Sequence, residues 1–158
     1  MGILEKVADN RETKAWYGDI PVQHLYTAGV AGERFLSEIR DNGKILGTLC
    51  EKCNFVYVPP MIYCERCFAR LTEWVPVSHK GVVESFTVGY IDMDGKPLPE
   101  PRVMAVINLD GATSSLVHFL EEIEPDDITF GMEVEAVFRP KGERKGSILD
   151  ISHFRPVG

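Results

Sequence analysis

The chain's four cysteines stand in two Cys-x-x-Cys pairs, Cys50-Glu-Lys-Cys53 and Cys64-Glu-Arg-Cys67, with ten residues between them. A two-residue spacer lets one tight turn aim two sulfurs at a single point. A second such turn completes a tetrahedron, and the intervening segment is long enough for a short hairpin. The simplest reading is one Cys₄ metal site holding zinc. The alternatives are two disulfides or four free thiols, but a Cys-x-x-Cys disulfide closes only a tiny loop. Iron of a rubredoxin-like electron carrier would use the same four ligands. A closed Cys₄ site has no open position for substrate. Its role is therefore structural, and no thiol is left over for catalysis.

With 158 residues, 44% of them hydrophobic, the chain can bury a core as one ordinary domain or two small ones. No apolar run is long enough to span a membrane, and the first residues lack a hydrophobic signal region. These features predict a cytoplasmic protein with reduced thiols. The net charge of −7 is uneven, and residues 80–158 carry eight basic and fourteen acidic groups. Such a surface disfavours general nucleic-acid binding, which depends on neutralising phosphates.

Three segments follow in order. Residues 1–43 form an N-terminal helical segment. Ala31, Phe35, Leu36 and Ile39 make one apolar stripe, Asn42-Gly43 stops it, and a second short helix is expected around Glu5 to Ala15. Residues 44–77 read as strand, knuckle, strand, knuckle, strand, the layout of a zinc ribbon. So small a unit depends on its metal for stability. Residues 78–158 contain five strands separated by turn formers: 81–90, 103–109, 114–120, 132–138 and 147–154. The stretch Asp92 to Pro101 is expected to be a loop. Five half-apolar strands with a long connection after the third match an OB-type barrel, and a β-sandwich fragment is the competing arrangement. The fold class is mainly β with N-terminal helices, a Cys₄ ribbon and then a five-stranded barrel.

Other candidate site residues are fewer. Arg139, Lys141, Arg144 and Lys145 form the densest positive cluster in the acidic half, on a loop that borders the binding face of OB folds. They read either as contacts for the phosphate groups of a ligand or as a solvated hairpin tip. Tyr57, Phe86 and Tyr90 read either as core or as walls of an apolar channel. Asp92-x-Asp94-Gly lacks the register of a calcium loop and reads as a turn. Neither a phosphate-cradling loop nor a nucleophile elbow is present, and no catalytic set emerges.

The whole chain resembles the zinc-ribbon/OB-fold acyl-CoA-associated proteins, a family long filed as a domain of unknown function. The likeness rests on Gly32-Glu-Arg-Phe-Leu36, the ribbon from Leu49 to Cys67 with Pro59-Pro60, Gly81 to Val88, Gly131 to Phe138, and Arg155-Pro156. Many relatives have Gly where Asn54 stands, and Pro within the second knuckle where Glu65-Arg66 stands. Asn tolerates the left-handed turn, so the first knuckle should survive. The resemblance implies a non-catalytic accessory protein of thiolase-superfamily enzymes. In its archaeal branch the partners are acetoacetyl-CoA thiolase and hydroxymethylglutaryl-CoA synthase, early in mevalonate synthesis and lipid metabolism. There the small protein bridges the enzymes and holds the CoA thioester arm. The resemblance thus implies CoA phosphates on Arg139, Lys141, Arg144 and Lys145, and a pantetheine arm along Tyr57, Phe86 and Tyr90. Two other classes remain open: a single-stranded nucleic-acid-binding module, and an acyl-CoA hydratase-type enzyme subunit.

Overall fold

The computed structural model describes residues 26–92 and 94–157. The helix expected near Glu5 to Ala15 lies outside them. The first described element is helix α1, Gly29–Asn42, which buries Ala31, Phe35 and Ile39 as the stripe predicts. Gly43 ends it in the left-handed conformation, with its amide donating to the Ile39 carbonyl and that of Lys44 to Glu38.

A three-stranded antiparallel sheet follows, made of β1 (Ile45–Cys50), β2 (Phe55–Tyr57) and β3 (Glu73–Val77) in the order β2-β1-β3. The other five strands are β4 (Lys80–Ile91), β5 (Pro97–Leu109), β6 (Ser115–Leu120), β7 (Glu133–Phe138) and β8 (Ile151–Pro156). They close into a barrel in the order β4-β5-β6-β8-β7, with β7 returning to β4. Only the β6–β8 contact is parallel among these strand pairs, at Leu120 opposite Phe154. Gly81 lets β4 and β5 close at the start of this barrel, because a Cβ there would overlap the Asn108 carbonyl.

Two expectations are corrected. Pro97 to Pro101 is strand and not loop, since β5 begins at Pro97. β6 ends opposite Val103, so residues 97–102 lack a partner on that side, and strands tolerate proline at such edges. Ser147 to Asp150 is not the start of the last strand. Ile148–Asp150 is a 3₁₀ turn in a capping box, with the Ser147 hydroxyl and the Asp150 carboxylate each accepting from the other end's backbone. The Asp92 turn is as expected, for its carboxylate accepts from the amides of Asp94 (2.9 Å) and Lys96 (2.8 Å).

One hydrophobic core runs through helix, ribbon and barrel. It joins Phe35 and Ile39 of α1 and Ile45, Val58 and Val77 of the ribbon to Val83, Ile107, Leu109, Val134, Ile151 and Phe154 of the barrel. The ribbon is also stitched to the turn between β5 and β6. The Val56 carbonyl accepts from the Thr113 amide (2.9 Å), the Val58 amide donates to Ser114 Oγ (2.7 Å), and that hydroxyl donates to the Val58 carbonyl (3.0 Å). These bonds occupy the outer edge of β2, which would otherwise offer unpaired backbone groups. Among the described residues no helix is long and apolar enough to cross a membrane.

Candidate metal centre

β1 delivers Cys50 at its end, and the turn to β2 carries Cys53. The second knuckle is closed by the Phe68 amide donating to the Cys64 carbonyl (2.9 Å) and the Cys64 amide donating to Ala69 (2.9 Å). In both knuckles the residue after the second cysteine has positive φ: Asn54 at 48° and Phe68 at 56°. The first is the expected asparagine solution. The second places a bulky side chain where L-residues are disfavoured.

All four cysteines are free, and their sulfurs lie within 4.8 Å of one another. The separations across the two knuckles are 3.5 Å for Cys50–Cys67 and 3.8 Å for Cys53–Cys64. A tetrahedron with zinc–sulfur bonds of about 2.3 Å has edges of about 3.8 Å, so the donor set fits that ion in type and spacing. Cys50, Cys53, Cys64 and Cys67 would hold it, and it would pin the two turns together.

The titration of the thiols makes the same point. Without a cation, Cys50, Cys53 and Cys64 do not ionise alike. The neighbouring Cys67 thiol, helped by burial, pushes Cys53 up to about 12. Burial also raises Cys50. Cys64 is drawn down to about 6, first by the Tyr57 hydroxyl 3.2 Å from its sulfur. Tyr57 itself is raised to about 12 by burial and then by that sulfur. A divalent cation removes this conflict by holding all four as thiolates.

The remaining sequence candidates fall in separate places. Arg139, Lys141, Arg144 and Lys145 share the loop between β7 and β8, but two of them have structural work. Arg139 Nε donates to the Leu149 carbonyl (2.7 Å). Arg144 Nε donates to the Arg139 carbonyl (2.7 Å), its Nη1 reaches the Ile39 carbonyl at the end of α1 (3.4 Å), and its guanidinium lies 5.5 Å from the Phe138 ring centroid. A cation there also complements the helix C-terminus. Lys141 and Lys145 are exposed. Tyr57 is only 2% exposed and sits at the sulfur cluster. Phe86 is half-buried against Phe130, ring centroids 5.8 Å apart, and Tyr90 is 62% exposed. The basic loop follows β7, whose Glu135 pairs with Lys80 at the start of β4. Tyr90 lies ten residues further along β4, roughly 30 Å of extended strand. The loop and Tyr90 therefore do not converge. A groove of about 820 Å³ between residues 98–103 and 120–125 is lined by Glu100, Glu121, Glu122 and Glu124 beside Arg102. That charge is wrong for phosphates.

Comparison with known proteins agrees with this architecture. Residues 37–73 match the family model for the rubredoxin-like zinc ribbon domain of ChsH2, and residues 74–139 match that for the C-terminal OB-fold domain of ChsH2. A DUF35 domain-containing scaffold protein of Methanocaldococcus jannaschii is 31% identical over 123 residues, which is 75% of this chain and 86% of that protein. The chain belongs to the DUF35 family. A second DUF35 domain-containing scaffold protein, from Pyrococcus furiosus, is 30% identical over 78% of this chain and 91% of its own length. Among solved structures, a DUF35-family protein of unknown function from Sulfolobus solfataricus superimposes with a TM-score of 0.58 at 29% identity, over 69% of this chain and 78% of that one. The Ltp2-ChsH2(DUF35) aldolase gives 0.56 at 25% identity, over 78% and 93%.

Sequence reasoning missed one anchoring device of this DUF35 chain. Asp150, 2% exposed, accepts from the amides of Lys145 (2.9 Å), Gly146 (2.7 Å) and Ser147 (3.2 Å). Burial acts to raise this carboxyl, but the three amides outweigh it and hold the group below the usual carboxylate range. Asp150 thus fixes the loop that carries the basic cluster. The Ser147-x-x-Asp150 spacing was the available signal.

Proposed function

We propose that this DUF35 chain is a non-catalytic scaffold subunit, working in the cytoplasm, that docks on an acyl-CoA enzyme of the thiolase superfamily and holds a CoA ester beside it. The observation that carries the reading is the closed four-sulfur centre. It uses every thiol of the chain for architecture and leaves the metal no open coordination position. The names of the relatives, scaffold proteins in two archaea and a DUF35 partner in an aldolase, support the same role. On this reading the enzymes served are acetoacetyl-CoA thiolase and hydroxymethylglutaryl-CoA synthase. The exposed Lys141 and Lys145 take the CoA phosphates, with Arg139 and Arg144 keeping their loop in place. Phe86 and Tyr90, well along β4 from that loop, belong to the surface that meets the enzyme and the far end of the arm. Holding the thioester near a second active site raises its effective concentration there.

Affinity purification of the tagged chain from its native cells tests this reading. The expected result is co-purification of a thiolase-superfamily enzyme, with CoA-ester binding to that complex weakened by Lys141→Glu and Lys145→Glu together. Steady turnover of a CoA ester by the isolated chain, or recovery of nucleic acid alone, would overturn it.

A further inference from the structure

Tyr57 differs from the other aromatics of the ribbon in where its polar end lies. Its ring packs on Phe55 with centroids 4.6 Å apart, and its hydroxyl is 3.2 Å from Cys64 Sγ. Cys64 itself is fully buried. Both ends of this contact are held by the sheet. Tyr57 pairs with Thr48 of β1. Thr48, also fully buried, grips the segment that leads into the second knuckle: its hydroxyl accepts from the Met61 amide (3.0 Å) and donates to the Met61 carbonyl (3.1 Å). The sheet therefore holds both the hydroxyl and the sulfur in place.

Four thiolates together carry more negative charge than one divalent ion neutralises. A hydroxyl donor draws off part of that charge and fixes the direction of the sulfur. Among the described residues, Cys64 is the one ligand whose sulfur has a side-chain hydrogen-bond partner outside the cysteine set.

We infer that Tyr57 is a positioning residue of the metal centre: its phenolic O–H orients the Cys64 thiolate and strengthens retention of a thiophilic divalent cation. The inference rests on the four cysteines being a zinc site. It does not depend on the scaffold role. Tyr57→Phe deletes one hydroxyl and leaves the ring and its packing. Loss of such an outer partner typically lowers metal affinity about 10- to 100-fold.

The test compares the full chain with its Tyr57→Phe variant. Zn²⁺ affinity is measured by competition with a chromogenic chelator, and the sulfur-to-metal charge-transfer bands are recorded after loading with Co²⁺. The variant is expected to bind one equivalent with affinity lowered about 10- to 100-fold, and its charge-transfer band should move to lower energy as the thiolate becomes a better electron donor. Phe55→Leu disturbs the packing while keeping the hydroxyl, and should leave the band where it is. An unchanged affinity and band in Tyr57→Phe would overturn the inference, as would an equal effect of Phe55→Leu on both. If the unaltered chain binds no Zn²⁺, the four-cysteine reading fails first and this inference with it.

Discussion

The two knuckles turn in the same way and display different residues. Each ends in a left-handed residue after its second cysteine. In the first that residue is Asn54, whose short polar side chain tolerates the conformation. In the second it is Phe68, which costs about 1–2 kcal/mol more than glycine would in that region. Phe68 is 80% exposed, so its ring recovers little of this cost by burial. Met61, Ile62 and Tyr63, just before the second knuckle, are exposed as well. Ligand geometry therefore accounts for the first knuckle, while the second displays apolar surface at a cost in stability that the fold itself does not require.

The largest effect treats the knuckles as equals. Cys53→Ser and Cys64→Ser each break the tetrahedron. Structural zinc contributes on the order of 10 kcal/mol to such ribbons. Either variant, or chelation of the metal, should abolish hydrogen-exchange protection across β1–β3 and sharply lower the melting temperature. A ribbon that keeps its protection after one of these changes would mean that the knuckles do not share an ion. Next, Asn54→Val should destabilise the metal-loaded protein by about 1–2 kcal/mol in denaturant titration, because a β-branched residue is forced into the left-handed region. Phe68→Asn should do the reverse and stabilise by about 0.5–1 kcal/mol. A loss of stability in Phe68→Asn would show that the ring packs, and the contrast would fail.

The smallest effect lies away from both knuckles and serves as their control. His118 faces the barrel interior, and its Nδ1 accepts from the Phe119 amide (2.9 Å), so its Nε2–H donates to the Ile148 carbonyl (3.2 Å). Burial holds its pKa below the ordinary value, so the folded protein resists a proton that the unfolded chain accepts near pH 6.5. Stability linked to this residue is therefore complete above about pH 6.5 and is lost as pH falls toward the lower folded value. His118→Gln should flatten that slope in pH-dependent denaturation. The difference between Asn54→Val and the unaltered chain should stay constant over the same range.

Much of this was legible from residue spacing. The cysteine pairs specify where four sulfurs meet, and alternation along residues 81–90 and 132–138 specifies strands. The stripe Ala31, Phe35, Ile39 with its Gly43 stop specifies α1. What was hidden depends on the third dimension. Pro97 to Pro101 carries turn formers yet lies in a strand, because one side has no partner to demand amides. Tyr57 reads as one more aromatic, and only the path of β2 beside the second knuckle brings its hydroxyl to Cys64. The likeness of Arg144 to its basic neighbours conceals its reach, 105 residues back, to the end of α1. Charge counting cannot separate it from Lys141.

The Thr113–Ser114 stitch to β2 has a mechanical meaning. With hydrogen bonds along one edge and a common apolar interior on the other side, the ribbon has no joint about which to swing. Whatever grips the knuckles and whatever grips the barrel are kept at one fixed angle, as by a carpenter's square.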